Sequence, residues 1–234
     1  MEQNPSTQKQ QQAVPLRNET WRLAWQTFIN ILIGTVISII VVISLSSLMV
    51  GSIWGKLVVE FICLAITLPI VYGYMWGQGD RDANFIQFGR MQPAPLKGLW
   101  AGLLGIIPWL LTSILLALSM LEIIPFDFMP IYRLLNAPMW GFINMLHPNG
   151  GAIPHAGVPA QPATDTMPAI EAVPPTDGLS WGAFWIIFLL PFIYTAFCAV
   201  GYYLGTKRLS IINKVVYKND PEKIAAHRNK KRKH

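Results

Sequence analysis

Residues Phe28 to Val50, FINILIGTVISIIVVISLSSLMV, run without a single charged side chain. A helix crossing the apolar core of a bilayer needs about 20 mostly apolar residues at 1.5 Å rise each, so this stretch is long enough to span. Three more runs meet the same requirement: Leu57 to Trp76, Leu99 to Ile124 and Leu179 to Leu204. They explain a composition of 53% apolar and 13% charged residues, against about 25% charged in soluble domains. The expected fold is all-α, a polytopic membrane protein with four transmembrane helices. In a chain of 234 residues four spans leave no room for a separate catalytic domain, so any chemistry has to come from the spans or the short loops.

The first run follows a polar segment and exceeds the roughly 7 to 15 residues of a signal-peptide core, which marks it as a retained anchor. Charge sets the orientation, because cytoplasmic loops are enriched in Lys and Arg. Lys9, Arg17 and Arg22 precede the first span; Arg81, Arg90 and Lys97 lie between the second and third; Lys207, Arg208, Lys214, Lys218, Lys223, Arg228, Lys230, Lys231, Arg232 and Lys233 follow the fourth. With four spans all of these share one side. The other side holds only Lys56 and Arg133, alongside Asp127, Asp165, Glu171 and Asp177. Residues 1–27 are thus expected as a cytoplasmic segment, 28–206 as the transmembrane domain and 207–234 as a basic cytoplasmic tail.

A fifth span at Met129 to Leu146 would reverse the tail, but Arg133, Asn136, Pro138 and Asn144 make crossing costly. The segment reads instead as an external interfacial helix, lying on the outer leaflet or capping the bundle, started by Pro130 and bent at Pro138. Ile131, Leu134, Leu135, Met139, Phe142, Ile143 and Leu146 would form its apolar face, with Arg133, Asn136 and Asn144 opposite. The Pro-rich external loop at 148–178 has too few large apolar residues to offset its chain entropy and is expected to be disordered or extended.

Candidate chemistry is sparse. Cys63 and Cys198 fall at different depths of their spans, too far apart for a disulfide, and read as small buried residues. His147 and His155 lack further ligands at metal spacing, and no metal is expected. Glu60 and Glu122 sit near the outer interface and read as solvated carboxylates. Asp80, Asp82 and Asn84 are spaced like the start of a calcium loop, but Phe85 stands where that loop needs glycine and Met91 where it needs glutamate, so they read as residues of a turn at the membrane exit. No His-Glu-x-x-His or Gly-x-Ser-x-Gly occurs, so no catalytic residue and no cofactor are assigned.

Prolines Pro69, Pro108 and Pro191 interrupt three spans and could free carbonyls for a site at kinked helices. Small residues four apart, Gly34 and Ser38, Ser47 and Gly51, Gly73 and Gly77, Gly201 and Gly205, offer close-packing surfaces. Leu68-Pro69-Ile70-Val71-Tyr72 is echoed by Leu190-Pro191-Phe192-Ile193-Tyr194, which suggests two repeated hairpins. In the tail, ten positive and two negative side chains give +8, more than the +6 of the whole chain. Lys214, Lys218, Lys230, Lys231, Arg232 and Lys233 are the candidate contacts to anionic lipid headgroups, and no nucleic acid is expected.

Gly79-Asp80-Arg81-Asp82-Ala83-Asn84, Phe88-Gly89-Arg90 and Lys97-Gly98-Leu99, with Gly201-Tyr202-Tyr203-Leu204-Gly205-Thr206-Lys207 and Val216-Tyr217-Lys218, look like small uncharacterised multi-span membrane proteins of Gram-positive bacteria. The resemblance implies a bacterial plasma membrane and brings no activity with it. The sequence favours a non-enzymatic accessory or assembly subunit that offers its basic tail to lipid, to a membrane-protein partner or to copies of itself. The alternative is a small oligomeric transporter or channel component with its site at the Pro-kinked helices.

Overall fold

The computed structural model describes residues 19–148, 150–155, 157, 175 and 177–209. Every element among them is helical. Helix α1 (Thr20–Ser44), the single turn α2 (Ser46–Met49) and α3 (Ile53–Gln87) make a first hairpin. Helices α4 (Lys97–Gly105) and α5 (Ile107–Met120) return along it. Then come α6 (Met129–Leu135), a 3-10 turn at Ala137–Met139 and α7 (Trp140–Leu146), and finally α8 (Trp181–Leu189) and α9 (Phe192–Thr206). Three helices, Thr20–Ser44, Ile53–Gln87 and Trp181–Thr206, are long and apolar enough to cross a membrane; α4 and α5, bent by 42° between them, would make a fourth.

Successive helices alternate in direction, so Thr20, Gln87, Lys97 and Thr206 gather at one end, here the Lys97 end, and Ser44, Ile53 and Trp181 at the other, the Lys56 end. Trp21, Trp25 and Trp100 are exposed toward the first end and Trp54, Trp181 and Trp185 toward the second. Indoles favour the two interfaces of a bilayer.

Two helices run two turns or more past an expected bound. α1 begins at Thr20 rather than Phe28, because Leu23, Ala24 and Thr27 are buried and Gly105 of α4 closes on Ala24 and Thr27. α3 runs on past Trp76 to Gln87, about 52 Å in all. Its buried residues Val71, Met75, Gly79 and Asp82 continue one helical face, and α9 packs along it. Asp80, Asp82 and Asn84 therefore stand on a helix, which corrects their reading as a turn.

Small residues set the spacing of this core. Gly201 lies against Tyr72 and Met75, and Gly205 against Trp76 and Gly79, so close that a Cβ at Gly205 would meet the Trp76 carbonyl. Gly34 fits against Thr67, whose hydroxyl pairs with that of Ser38 at 3.3 Å. Gly73 and Gly77 face open space and pack nothing among the described residues.

Met129 to Leu146 departs from the expected single amphipathic helix. It is a helix–turn–helix hairpin wedged into the bundle, its turn packed against α1 and α3 and α7 against α3. The Trp109 indole donates to the Leu135 carbonyl at 2.9 Å, and Trp109 lies about 16 Å along α5 from its Met120 end. Tyr132, Ala137, Met139 and Ile143 are fully buried, and Asn136, expected on the polar face, is buried too, while Ile131 and Leu134 are exposed. Pro130 starts it and Pro138 breaks it as the sequence suggested. The break turns Asn136 inward, where its side-chain amide donates to the Tyr132 carbonyl at 3.1 Å.

Part of the 148–178 loop is fixed as well. The Ala152 amide donates to the Asp127 carboxylate at 3.0 Å and its carbonyl accepts from the Leu179 amide at 3.0 Å, which buries Ala152. Residues 158–174 of that loop, residues 1–18 and the tail from Ser210 onward lie outside the described residues.

Candidate functional site

The overhang of α3 creates a polar junction at the Lys97 end. Gly79 lets α9 approach, which carries the Tyr202 ring to Asp82 one turn further on. The Tyr202 hydroxyl donates to Asp82 Oδ2 at 2.7 Å, and Lys97 Nζ donates to the same oxygen at 2.7 Å. Gly98 packs against the Tyr202 ring and so brings Lys97, the first residue of α4, to the carboxylate. Asp82 and Lys97 are each 8% exposed and Tyr202 is fully buried. A carboxylate and an ammonium withdrawn from water need each other and further hydrogen bonds to offset desolvation, and the phenol supplies one.

Above this pair lies a cavity of about 540 Å³ between α1, α3 and the start of α4. Arg22, Gln26, Tyr74, Gln78 and Arg81 line it, with Asp82 and Lys97 at its floor. Arg22 comes from α1 and Arg81 from α3, so the two guanidinium groups border the same cavity. Arg22 meets Glu19 at 3.5 Å in an exposed pair, and Arg81 has no carboxylate partner among the described residues. Beside the cavity Arg208 donates to Asn84 and to Gln87 and lies 3.8 Å from Asp80, while Trp76 donates to the Leu209 carbonyl. The chain leaving α9 is thus tied to the α3 overhang.

A second polar group lies toward the Lys56 end. Glu60, expected at the solvated interface, is 2% exposed because α7 covers it. Its Oε2 accepts from the Phe142 amide at 3.3 Å, and its Oε1 has no partner among the described residues. One turn away Lys56 donates to the Asn144 carbonyl at 3.3 Å. A carboxylate at the first turn of α7 and an ammonium at its last match the backbone dipole. Glu122 is exposed at the end of α5 and does not join Glu60.

The three prolines do not share a site. Pro69 stands inside the unbroken α3 and is exposed; Pro108 opens α5 and is exposed; only Pro191 is buried, at the break between α8 and α9. Pro191 cannot donate to Ile187, and that carbonyl instead accepts from the Leu190 amide and from the Tyr132 hydroxyl at 3.4 Å. Of the candidate lipid contacts, Lys214, Lys218, Lys230, Lys231, Arg232 and Lys233 all lie outside the described residues. Cys63 and Cys198 are buried free thiols. Among the described residues no three His, Cys, Asp or Glu side chains are grouped to hold a metal.

The junction was not foreseen, since Asp82, Lys97 and Tyr202 are distant in sequence. Residues 79–84, 97–99 and 201–207, distant in sequence, are the stretches that meet here. No protein-family model, curated protein or solved structure matches the chain, so the role of the site rests on its geometry.

Proposed function

We propose that the chain is a four-span protein of a bacterial plasma membrane with both ends in the cytoplasm. In this reading it is a non-enzymatic accessory or assembly subunit, and it offers its Lys97 end and basic tail to anionic lipid or to a membrane-protein partner. The observation that carries the reading is the one-sided use of charge. At the Lys56 end both described cations serve the hairpin, Lys56 through Asn144 and Arg133 through the His147 carbonyl at 2.6 Å. At the Lys97 end Arg22, Arg81 and Arg90 are exposed, and the tail leaves beside them. Lys97 and Tyr202 are both bonded to Asp82, which suits a scaffold better than a reacting group. The echo between Leu68-Pro69 and Leu190-Pro191 would make the two halves copies of one hairpin, and different crossing directions on superposition would remove that idea.

The test uses the full chain in nanodiscs of neutral lipid doped with phosphatidylglycerol. The K230Q/K231Q/R232Q/K233Q variant should recruit less anionic lipid, and the difference should shrink as salt rises. Equal recruitment by both chains would sink the tail's role. The wedged hairpin and the half-satisfied Glu60 favour a second reading, a transporter or channel component, since broken helices beside a buried carboxylate are a frequent design for ion sites. An ion flux in proteoliposomes that is lost in Glu60→Gln would decide for it.

A further inference from the structure

We propose that the cavity above the Asp82–Lys97 pair seats one phosphate-bearing anionic group, with Arg22 and Arg81 as its charge partners. The inference rests on the reading that the Lys97 end faces the cytoplasmic leaflet. Its volume of about 540 Å³ falls within the roughly 300–1,000 Å³ of small-ligand pockets.

The balance of charge selects an anion. Among the described residues, five ionisable side chains other than tyrosine line the cavity: Glu19, Arg22, Arg81, Asp82 and Lys97. Asp82 Oδ2 accepts from both Lys97 and Tyr202, and the Lys97 ammonium offsets the carboxylate's charge. Glu19 faces Arg22 across 3.5 Å in an exposed pair, a geometry worth little in water. The charge without a carboxylate partner among the described residues is that of Arg81. Arg22 from α1 and Arg81 from α3 border the same cavity, and Gln26 and Gln78 add neutral donors from the same two helices. A planar fork with several donors suits phosphate oxygens better than a point charge does.

Depth selects the source. Trp21 and Trp25, exposed on the same turns of α1 that wall the cavity, mark the level at which indoles meet headgroups. A lipid phosphate would reach the cavity with its chains still in the apolar layer. Free phosphate or a soluble phosphate ester shares the chemistry without the chains.

The experiment uses the full chain in phosphatidylcholine nanodiscs doped with phosphatidylglycerol, with retained lipid counted by native mass spectrometry after release. One phosphatidylglycerol per chain should survive release in the wild type and in K230Q/K231Q/R232Q/K233Q. In R22Q and R81Q retention should fall about tenfold or more, as expected for loss of a charged hydrogen-bond partner. Both side chains are exposed, so these variants should unfold at the wild-type temperature; R81E provides an independent variant and should lose retention as well. A parallel arm titrates inorganic phosphate and glycerol 3-phosphate against Trp fluorescence of the lipid-neutral sample. Binding there, lost in R81Q, supports the site with a soluble source. Retention unchanged in the R22Q/R81Q double variant overturns the proposal. So does loss in the tail variant alone, which leaves the tail reading intact. Absence of both lipid retention and phosphate binding in the wild type also overturns it.

Discussion

Asp82 shows how one side chain can link three distant segments. Its partners Lys97 and Tyr202 lie 15 and 120 residues away, and all three are buried. Asp82→Leu leaves Lys97 without its counter-charge and should cost about 3–5 kcal/mol, read by chemical unfolding in mild detergent. The Asp82→Leu/Lys97→Met double variant should recover most of that loss, because no buried charge remains unpaired. A double variant as unstable as the single would mean that the pair's shape matters more than its charge. Sequence patterning could not find this junction. Sidedness rules count Lys97 as one more cytoplasmic cation and Asp82 as a polar flank, and nothing in local spacing reports a hydrogen bond across helices. Glu60 was missed for the same reason, since its covering amide belongs to Phe142.

At the scale of helices, length and apolar content were legible, and the long runs in the sequence correspond to α1, α3, the α4–α5 pair and the α8–α9 pair. The prolines were legible only in part. Pro138 and Pro191 stand at breaks in their helices, yet Pro69 sits in an unbroken α3, whose remaining hydrogen bonds tolerate the one that is missing. The overhang of α3 was hidden because polar residues beyond Trp76 look like loop until α9 is known to continue alongside. Glycine pairs show the same division. Gly205 touches the backbone of α3 and Gly73 faces open space among the described residues, though the two stand in similar motifs. Gly205→Val should therefore lower stability by about 1–3 kcal/mol or more, while Gly73→Ala should leave it unchanged or slightly higher. Comparable losses in both variants would contradict the packing of α3 on α9.

For the molecule as a whole, the proposed arrangement puts the loop between α7 and α8 opposite the tail. A cysteine at Ala160, in a chain with Cys63 and Cys198 replaced, should react with a membrane-impermeant maleimide on intact cells, whereas one at Arg90 should react only after the cells are opened. The reverse pattern would invert the topology.

The hairpin that covers Glu60 also imposes an order on synthesis. Glu60 and the amide that binds it are 82 residues apart, and at about 5–20 residues per second the ribosome needs roughly 4–16 s to make that interval. For that time α3 exists without its cover. A newly made α3 must either hold its carboxylate at the headgroups or wait beside the insertion machinery. The wedge is therefore made after α1 and α3, the helices its turn packs against, and before α8 and α9, which complete the bundle.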